Sequence, residues 1–293
     1  FSALFPPGLI NVLHGDAQVG EALITHPLVR KISFTGGGRI AKSIMRSAAD
    51  SLKRVHFELG GNDPAILLDD ADVEQAVREI IASAFRKSGQ MCYAVKRVYI
   101  PEKLYGEVSG LVCEQLRAFR VGYGLDEKST MGPMNNRPQF DFVRGLVERT
   151  RGTRAKVLEL GEKLDPGRWE NGYYLLPAVV LDPEPEQEIV TCEQFGPVLP
   201  LIPYRTEDEA VRMANGTEYG LGSSVWSRDF ERAVRFARRI EAGMTFINRH
   251  DLSPLGRVQI PFGGIKQSGI GWENGEIGLE EYIVYHGINY HRH

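Results

Sequence analysis

Cys92 is the side chain most suited to covalent chemistry in this sequence. It ends the segment Gly89-Gln90-Met91-Cys92, which lies between a predicted helix and a predicted strand. A loop cysteine in such a place can point into a cleft, where its thiolate acts as a nucleophile. Nearby cations such as Lys96 are expected to lower the pKa of the thiol. A small buried hydrophobic residue is the alternative role for a cysteine taken alone.

Glu58 is the second candidate, in the segment Phe57-Glu58-Leu59-Gly60-Gly61. Burying a charge is costly, so a glutamate within an apolar strand is expected to face a cavity at the end of that strand. The two glycines that follow let a substrate or cofactor approach the backbone. Glu58 could therefore be a general base with a raised pKa. A solvent-exposed glutamate at a strand end is the alternative.

Two glycine-containing segments could hold a phosphate or a sugar, and a third is notable for its density of glycine. Gly36-Gly37-Gly38 follows a strand and opens a helix, where free N–H groups can bind an anion. It lacks the spacing of the dinucleotide and P-loop fingerprints, so it is a weak signal by itself. Glu193, before Phe195-Gly196-Pro197, could accept hydrogen bonds from both hydroxyls of a ribose, although a surface turn is the alternative. Residues 261–269 are predicted to follow a fixed irregular path.

The elements that must position these side chains alternate between strand and helix. This order predicts an α/β fold with mostly parallel strands. Strands are predicted over residues 31–35, 55–59, 65–68, 95–100, 155–160, 172–177, 179–181 and 245–248, and helices over residues 39–50, 72–87, 102–118, 138–151, 207–215 and 229–242. Residues 281–290 alternate β-branched and aromatic side chains, which predicts a terminal strand that pairs with another sheet or subunit.

Composition excludes several classes of protein. The chain has 293 residues, with 35 Lys and Arg against 38 Asp and Glu, which gives a net charge of -3. This balance provides no basic surface for nucleic acid or an anionic membrane, and no apolar run is long enough to cross a bilayer. Three cysteines form no disulfide framework and are typical of a reduced, cytoplasmic protein.

The motifs taken together resemble the aldehyde dehydrogenase superfamily. Glu-Leu-Gly-Gly comes first, and the cysteine of Gly-Gln-x-Cys follows 34 residues after its glutamate. Glu-x-Phe-Gly-Pro and Pro-Phe-Gly-Gly-x-Lys-x-Ser-Gly complete the order. The resemblance implies a parallel-sheet catalytic domain over residues 61–265 and a partial Rossmann-like cofactor domain over 1–60. It also implies a return segment over 266–280 and an oligomerisation strand over 281–293.

The resemblance also implies roles for individual residues. Cys92 would attack the aldehyde carbon, Glu58 would activate water to hydrolyse the thioester, and Glu273 would help relay protons. NAD or NADP would be the cofactor. Its binding residues would be Gly36, Gly37, Leu59, Glu193 and Phe195. Tyr93 and residues 249–252 would line the substrate entrance.

Further expectations concern partners and metals. The resemblance implies a small aldehyde substrate and a homodimer or homotetramer, and no nucleic acid, membrane or metal partner is expected. His286, His291 and His293 are unevenly spaced in the tail, so they are expected to be ordinary polar residues.

The chain is shorter than members of the family. It is expected to lack the first strands of the cofactor domain, the asparagine of the oxyanion hole and the lysine that holds the adenosine ribose. Two alternatives follow from this difference and from the motifs. One is an inactive truncated chain that serves as an interaction fragment. The other is an acylating relative that transfers the thioester to coenzyme A or phosphate, although the presence of Glu58 favours hydrolysis.

Overall fold

A seven-stranded sheet forms the centre of the molecule. The computed structural model describes residues 4–252 and 259–291. Within these, the strand order is β12-β11-β3-β4-β9-β8-β6, and every neighbouring pair is parallel except β6 and β8. The strands are β3 (Asp63–Leu67), β4 (Val95–Pro101), β6 (Lys156–Glu159), β8 (Ala178–Leu181), β9 (Val198–Tyr204), β11 (Ser224–Trp226) and β12 (Phe246–Ile247). The predicted α/β class with mostly parallel strands is confirmed.

Helices cover both faces of this sheet. Alternate residues of its central strands enter two separate apolar clusters, as shown by Ala65 and Leu67 in one and Ile66 in the other. Strands buried on both faces read as continuous apolar runs, which is the pattern of residues 65–68. The helices are α1 (Ala17–Thr25), α2 (Gly38–Ala49), α3 (Val73–Ala84), α4 (Glu102–Arg117), α5 (Arg137–Arg151), α6 (Pro166–Trp169), α7 (Glu188–Thr191), α8 (Glu207–Asn215), α9 (Phe230–Ala237) and α10 (Gly275–Glu280). None of these described helices has the length and apolar character needed to span a membrane.

A smaller sheet joins the beginning and the end of the chain. Strand β1 (Lys31–Thr35) is parallel to β2 (Arg54–Glu58), and β14 (Gly269–Ile270) is antiparallel to β2. Helix α2 packs on this sheet through Ala41 and Ile44. Two further strand pairs are peripheral: β5 (Arg120–Val121) with β7 (Glu162–Lys163), and β10 (Tyr219–Gly220) with β13 (Ile265–Lys266).

Most predicted elements of the first 160 residues form within one or two residues of their predicted bounds, but two later assignments differ, and strands β9 and β11 of the large sheet have no predicted counterpart. Residues 172–177 are irregular and not a strand, and the helix predicted over 229–242 ends at Ala237. Strand β9 was not predicted, although it lies in the middle of the sheet. It contains Pro200 and Pro203, and prolines argue against a central strand because they lack a backbone donor.

The predicted C-terminal strand does not form within this chain. Residues 284–291 are irregular and largely exposed, with Val284 82% and Ile288 80% accessible. The start of the tail is held by Arg54, whose guanidinium donates to the Ile283 carbonyl at 2.8 Å. An alternating sequence becomes a strand only when another strand pairs with it, and no strand in the described part of the chain pairs with residues 284–291.

Candidate active site

One cavity between the two sheets brings together nearly all the predicted site residues. Its volume is about 550 Å³. The small sheet, the loop before β4, helix α5 and the segment before β9 contribute to its wall. The predicted residues that line it are Cys92, Glu58, Gly36, Gly37, Leu59, Glu193 and Phe195. The catalytic and cofactor-binding candidates therefore face a common space.

Glu58 lies at the end of β2 and is almost completely buried. It is 3% exposed, and neither carboxylate oxygen has a hydrogen-bond partner in the described structure. Burial, and secondarily the negative charge of Glu273, raises the pKa of Glu58 to about 8. The carboxyl group is therefore mainly protonated at neutral pH and becomes a base in mildly alkaline solution.

His56 connects Glu58 with Glu273, which lies outside the cavity lining. The His56 Nε2 atom is 3.3 Å from Glu58 Oε1, and its Nδ1 atom is 2.9 Å from Ser33 Oγ and 4.0 Å from Glu273 Oε1. Burial lowers the pKa of His56. His56 is not among the site residues that the motifs predict. Its position two residues before Glu58 was the available signal, since residues i and i+2 of a strand share a face.

His56, Glu58 and Glu273 form a cluster that could hold a metal ion, and no other such cluster occurs among the described residues. Donor atoms of His56, Glu58 and Glu273 all lie within 4.8 Å of one another. The 3.3 Å separation of His56 Nε2 and Glu58 Oε1 does not have the geometry of a hydrogen bond, so both atoms lack a partner in the described structure. Among the described tail histidines, His286 and His291 are exposed and belong to no such group, and His293 lies outside the described residues.

The loop that carries Cys92 has an unusual backbone. Lys87, Ser88 and Gly89 have φ values of 50°, 57° and 74°, in the left-handed region. A side chain at Gly89 would overlap the Gly196 carbonyl, so this turn requires glycine. The Cys92 side chain is partly buried, and burial raises the pKa of its thiol while Lys96 opposes that effect. The expected lowering by nearby cations is thus outweighed by burial.

Glu193 lines the same cavity and contacts two other residues. The Gly61 N–H donates to Glu193 Oε1 at 3.0 Å, and the Lys96 Nζ atom lies 3.6 Å from the same oxygen. Burial raises the pKa of Glu193, and Lys96 opposes the rise. A side chain at Gly60 would overlap the Glu193 carboxylate, which explains the glycine there.

The predicted substrate entrance is only partly open. Tyr93 packs edge-on against Phe262, with ring centroids 5.6 Å apart. His250 and Leu252 are buried, and the His250 Nε2 atom is 2.9 Å from the Tyr93 carbonyl oxygen. These two side chains support Tyr93 and do not face solvent, whereas Arg249 is exposed.

Comparison with known proteins defines the class. The aldehyde dehydrogenase family model matches residues 1–287, so the chain belongs to the aldehyde dehydrogenase family. This confirms the resemblance seen in the motifs.

Three solved structures illustrate the similarity. Aldehyde dehydrogenase C from Pseudomonas syringae, a cysteine-to-alanine mutant in complex with NAD+ and octanal, is 38% identical with a TM-score of 0.88, over 95% of this chain and 56% of that chain. A mutant betaine aldehyde dehydrogenase from Staphylococcus aureus, in complex with NAD+, is 33% identical with a TM-score of 0.89. The match covers 96% of this chain and 57% of that chain. An NADP-dependent enzyme from E. coli is 34% identical with a TM-score of 0.87. The match covers 94% of this chain and 56% of that chain. The chain thus spans a little more than half the length of these relatives.

Alkylation provides a first test of the site. Iodoacetamide is expected to modify Cys92 about tenfold or more faster than Cys113, because Cys92 lines a cavity and Cys113 is buried in α4. Cys192 is expected to react slowly, since burial raises its pKa to about 11. Peptide mass spectrometry over time measures the three rates. The C92S variant should lose only the fast phase, and faster labelling of Cys113 would contradict the assignment.

Proposed function

We propose that this chain is the catalytic portion of an NAD(P)-dependent aldehyde dehydrogenase that oxidises an aldehyde to a carboxylic acid. The observation that supports this is the meeting of Cys92, Glu58 and Glu193 on one cavity. A nucleophile, a base and a cofactor-binding carboxylate are the three groups that this reaction needs. Family membership supports the same reaction.

Cys92 is the proposed nucleophile. Its thiolate adds to the aldehyde carbon and forms a thiohemiacetal, and the aldehyde oxygen takes the negative charge. Loss of a hydride from this carbon leaves a thioester on Cys92. The nicotinamide cofactor, when bound, supplies the hydride acceptor.

Glu58 is the proposed base for the second half of the reaction. In its ionised form it takes a proton from water as the water oxygen attacks the thioester, and the acid leaves with regeneration of the Cys92 thiol. His56 lies beside Glu58, and Glu273 lies beyond His56 with a side chain 44% exposed. These two residues offer the proton a route from the buried carboxyl group to solvent.

The residues around the cavity fit a dinucleotide. Glu193 is partly buried and lines the cavity, so its carboxylate can accept hydrogen bonds from ribose hydroxyls. Helix α2 begins after Gly37 with no side-chain cap, which leaves backbone N–H groups for a pyrophosphate. Leu59 and Phe195 provide apolar walls nearby. These contacts suit NAD and NADP equally.

The test uses the full-length gene product that contains this chain. Reduction of NAD+ and NADP+ is followed spectrophotometrically with aliphatic and aromatic aldehydes, with and without coenzyme A. We expect aldehyde-dependent reduction that needs no coenzyme A, and C92S is expected to lower it by several orders of magnitude. Strict dependence on coenzyme A would indicate the acylating alternative. Unchanged activity in C92S would refute the proposed mechanism.

The tail is proposed to join subunits in a dimer or tetramer. Tyr282, Val284, Tyr285, Ile288 and Tyr290 are each more than 60% exposed. In a strand Tyr285 would lie on the face opposite to the other four, and a strand with apolar side chains on both faces requires cover on both. Deletion of residues 282–293 is expected to give monomers or insoluble protein. Light scattering measures the outcome, and an unchanged oligomer would contradict this role for the tail.

A further inference from the structure

Lys96 is a buried cation that the proposed reaction does not use. It is 3% exposed and lies at the start of β4, immediately after the loop that carries Cys92. Its Nζ atom donates to the carbonyl oxygens of Met91 at 2.9 Å and Cys92 at 2.6 Å, with a longer contact to Ala94 at 3.4 Å. One ammonium group therefore binds the carbonyl groups that precede and follow the Cys92 α-carbon.

The same ammonium also approaches two residues that line the cavity, Glu193 and Phe195. It lies 3.6 Å from Glu193 Oε1 and 6.0 Å from the centre of the Phe195 ring. Buried charges need compensation, and here one cation compensates the carbonyl dipoles of the Cys92 loop and the carboxylate of Glu193. Lys96 thus connects two segments that are about one hundred residues apart in sequence.

We propose that Lys96 is a positioning residue, whose ammonium holds the Cys92 loop against Glu193 and favours the thiolate form of Cys92. This inference rests on the proposed roles of those two residues. Lys96 acts through them and needs no contact with substrate. Its removal would leave two backbone carbonyls and one carboxylate buried without their cation.

The charges around Cys92 explain why this cation matters. Asp63 on β3 and Glu193 before β9 both disfavour the thiolate, and Lys96 on β4 favours it. Among the described residues, further titratable or charged groups near the cavity or the Cys92 loop include Glu58 on β2, Arg86 and Lys87 before Cys92, Tyr219 beside Glu193, and His250, which contacts the Tyr93 carbonyl. Burial already raises the pKa of Cys92, so the acidic neighbours would raise it further without Lys96.

The experiment measures how the alkylation rate of Cys92 depends on pH in the chain as it exists. Replacement of Lys96 by methionine is expected to move the midpoint of this profile upward by about one pH unit. The rate at neutral pH is expected to fall about tenfold. The plateau at high pH reports access to the thiol, so loss of loop order alone would change the plateau and leave the midpoint in place. No cofactor or turnover is needed, so this result is independent of the proposed function.

Three variants complete the test. K96R keeps the charge and is expected to keep the wild-type midpoint, whereas K96Q keeps a donor without charge and should behave like K96M. K103M removes an exposed lysine that pairs with Asp69 and serves as the matched control. Failure of both neutral variants to fold, with K96R folded, would also support a required cation. A folded neutral variant with the wild-type midpoint, or a K96R variant shifted as far as K96M, would overturn the proposal.

Discussion

Replacement of Glu58 by glutamine in the full-length gene product is expected to leave one burst of reduced cofactor and to remove steady turnover. Glutamine has nearly the same shape but cannot take a proton from water, so the thioester on Cys92 would form and then persist. A general base typically contributes about 10²- to 10⁴-fold, which is the expected loss in steady rate. Stopped-flow absorbance measures the burst, and intact mass detects the acyl group on Cys92.

Glu276 provides a matched control for this substitution. It is exposed in α10, close in sequence to Glu273, so E276Q makes the same chemical change outside the cavity. We expect wild-type turnover in E276Q. Steady turnover at the wild-type rate in E58Q would remove Glu58 from the role of base and shift attention to His56.

Hydrolysis of the acyl-enzyme is expected to accelerate as the pH rises through about 8, the pKa to which burial raises Glu58. The active form is the carboxylate, so the rate should rise about tenfold per pH unit below the pKa and level off above it. From pH 6 to the plateau the gain is about 10²-fold. Single-turnover decay of the acyl-enzyme measures this step directly. A flat profile, or a midpoint near the 4.5 of an ordinary glutamate, would contradict the buried state of the base.

The raised pKa of Glu58 has the opposite effect on stability. Below about pH 4.5 the Glu58 carboxyl group is protonated in both the folded and the unfolded chain. Between about pH 4.5 and pH 8 it is ionised in the unfolded chain and still protonated in the folded chain. The free energy of unfolding of wild-type protein should therefore fall between these values relative to E58Q, and the difference should level off above them. Urea denaturation at several pH values measures this. Such a result would also show that E58Q loses turnover without losing its fold.

Local patterns account for much of the fold. A continuous apolar run predicted β3, and an aspartate cap with an apolar face predicted α3, because these elements satisfy their backbone bonds and bury their side chains in regular periods. Strand β9 is not predicted by such patterns, since it contains two prolines and proline argues against a central strand. Its place between β4 and β8 depends on contacts with distant segments, which no local pattern contains.

The sequence by itself was enough to identify the family, and it predicted Cys92, Glu58 and Glu193 as site residues, which the structure places on one cavity. These features can be predicted because the chemistry of a side chain and the need for glycine in a turn are visible within a short segment of sequence. Only the tertiary structure placed His56 against Glu58 and the Lys96 ammonium between the Cys92 loop and Glu193. It also decided the protonation of the site, since a pKa depends on burial and on charges brought close by folding, and these cannot be read from spacing along the chain.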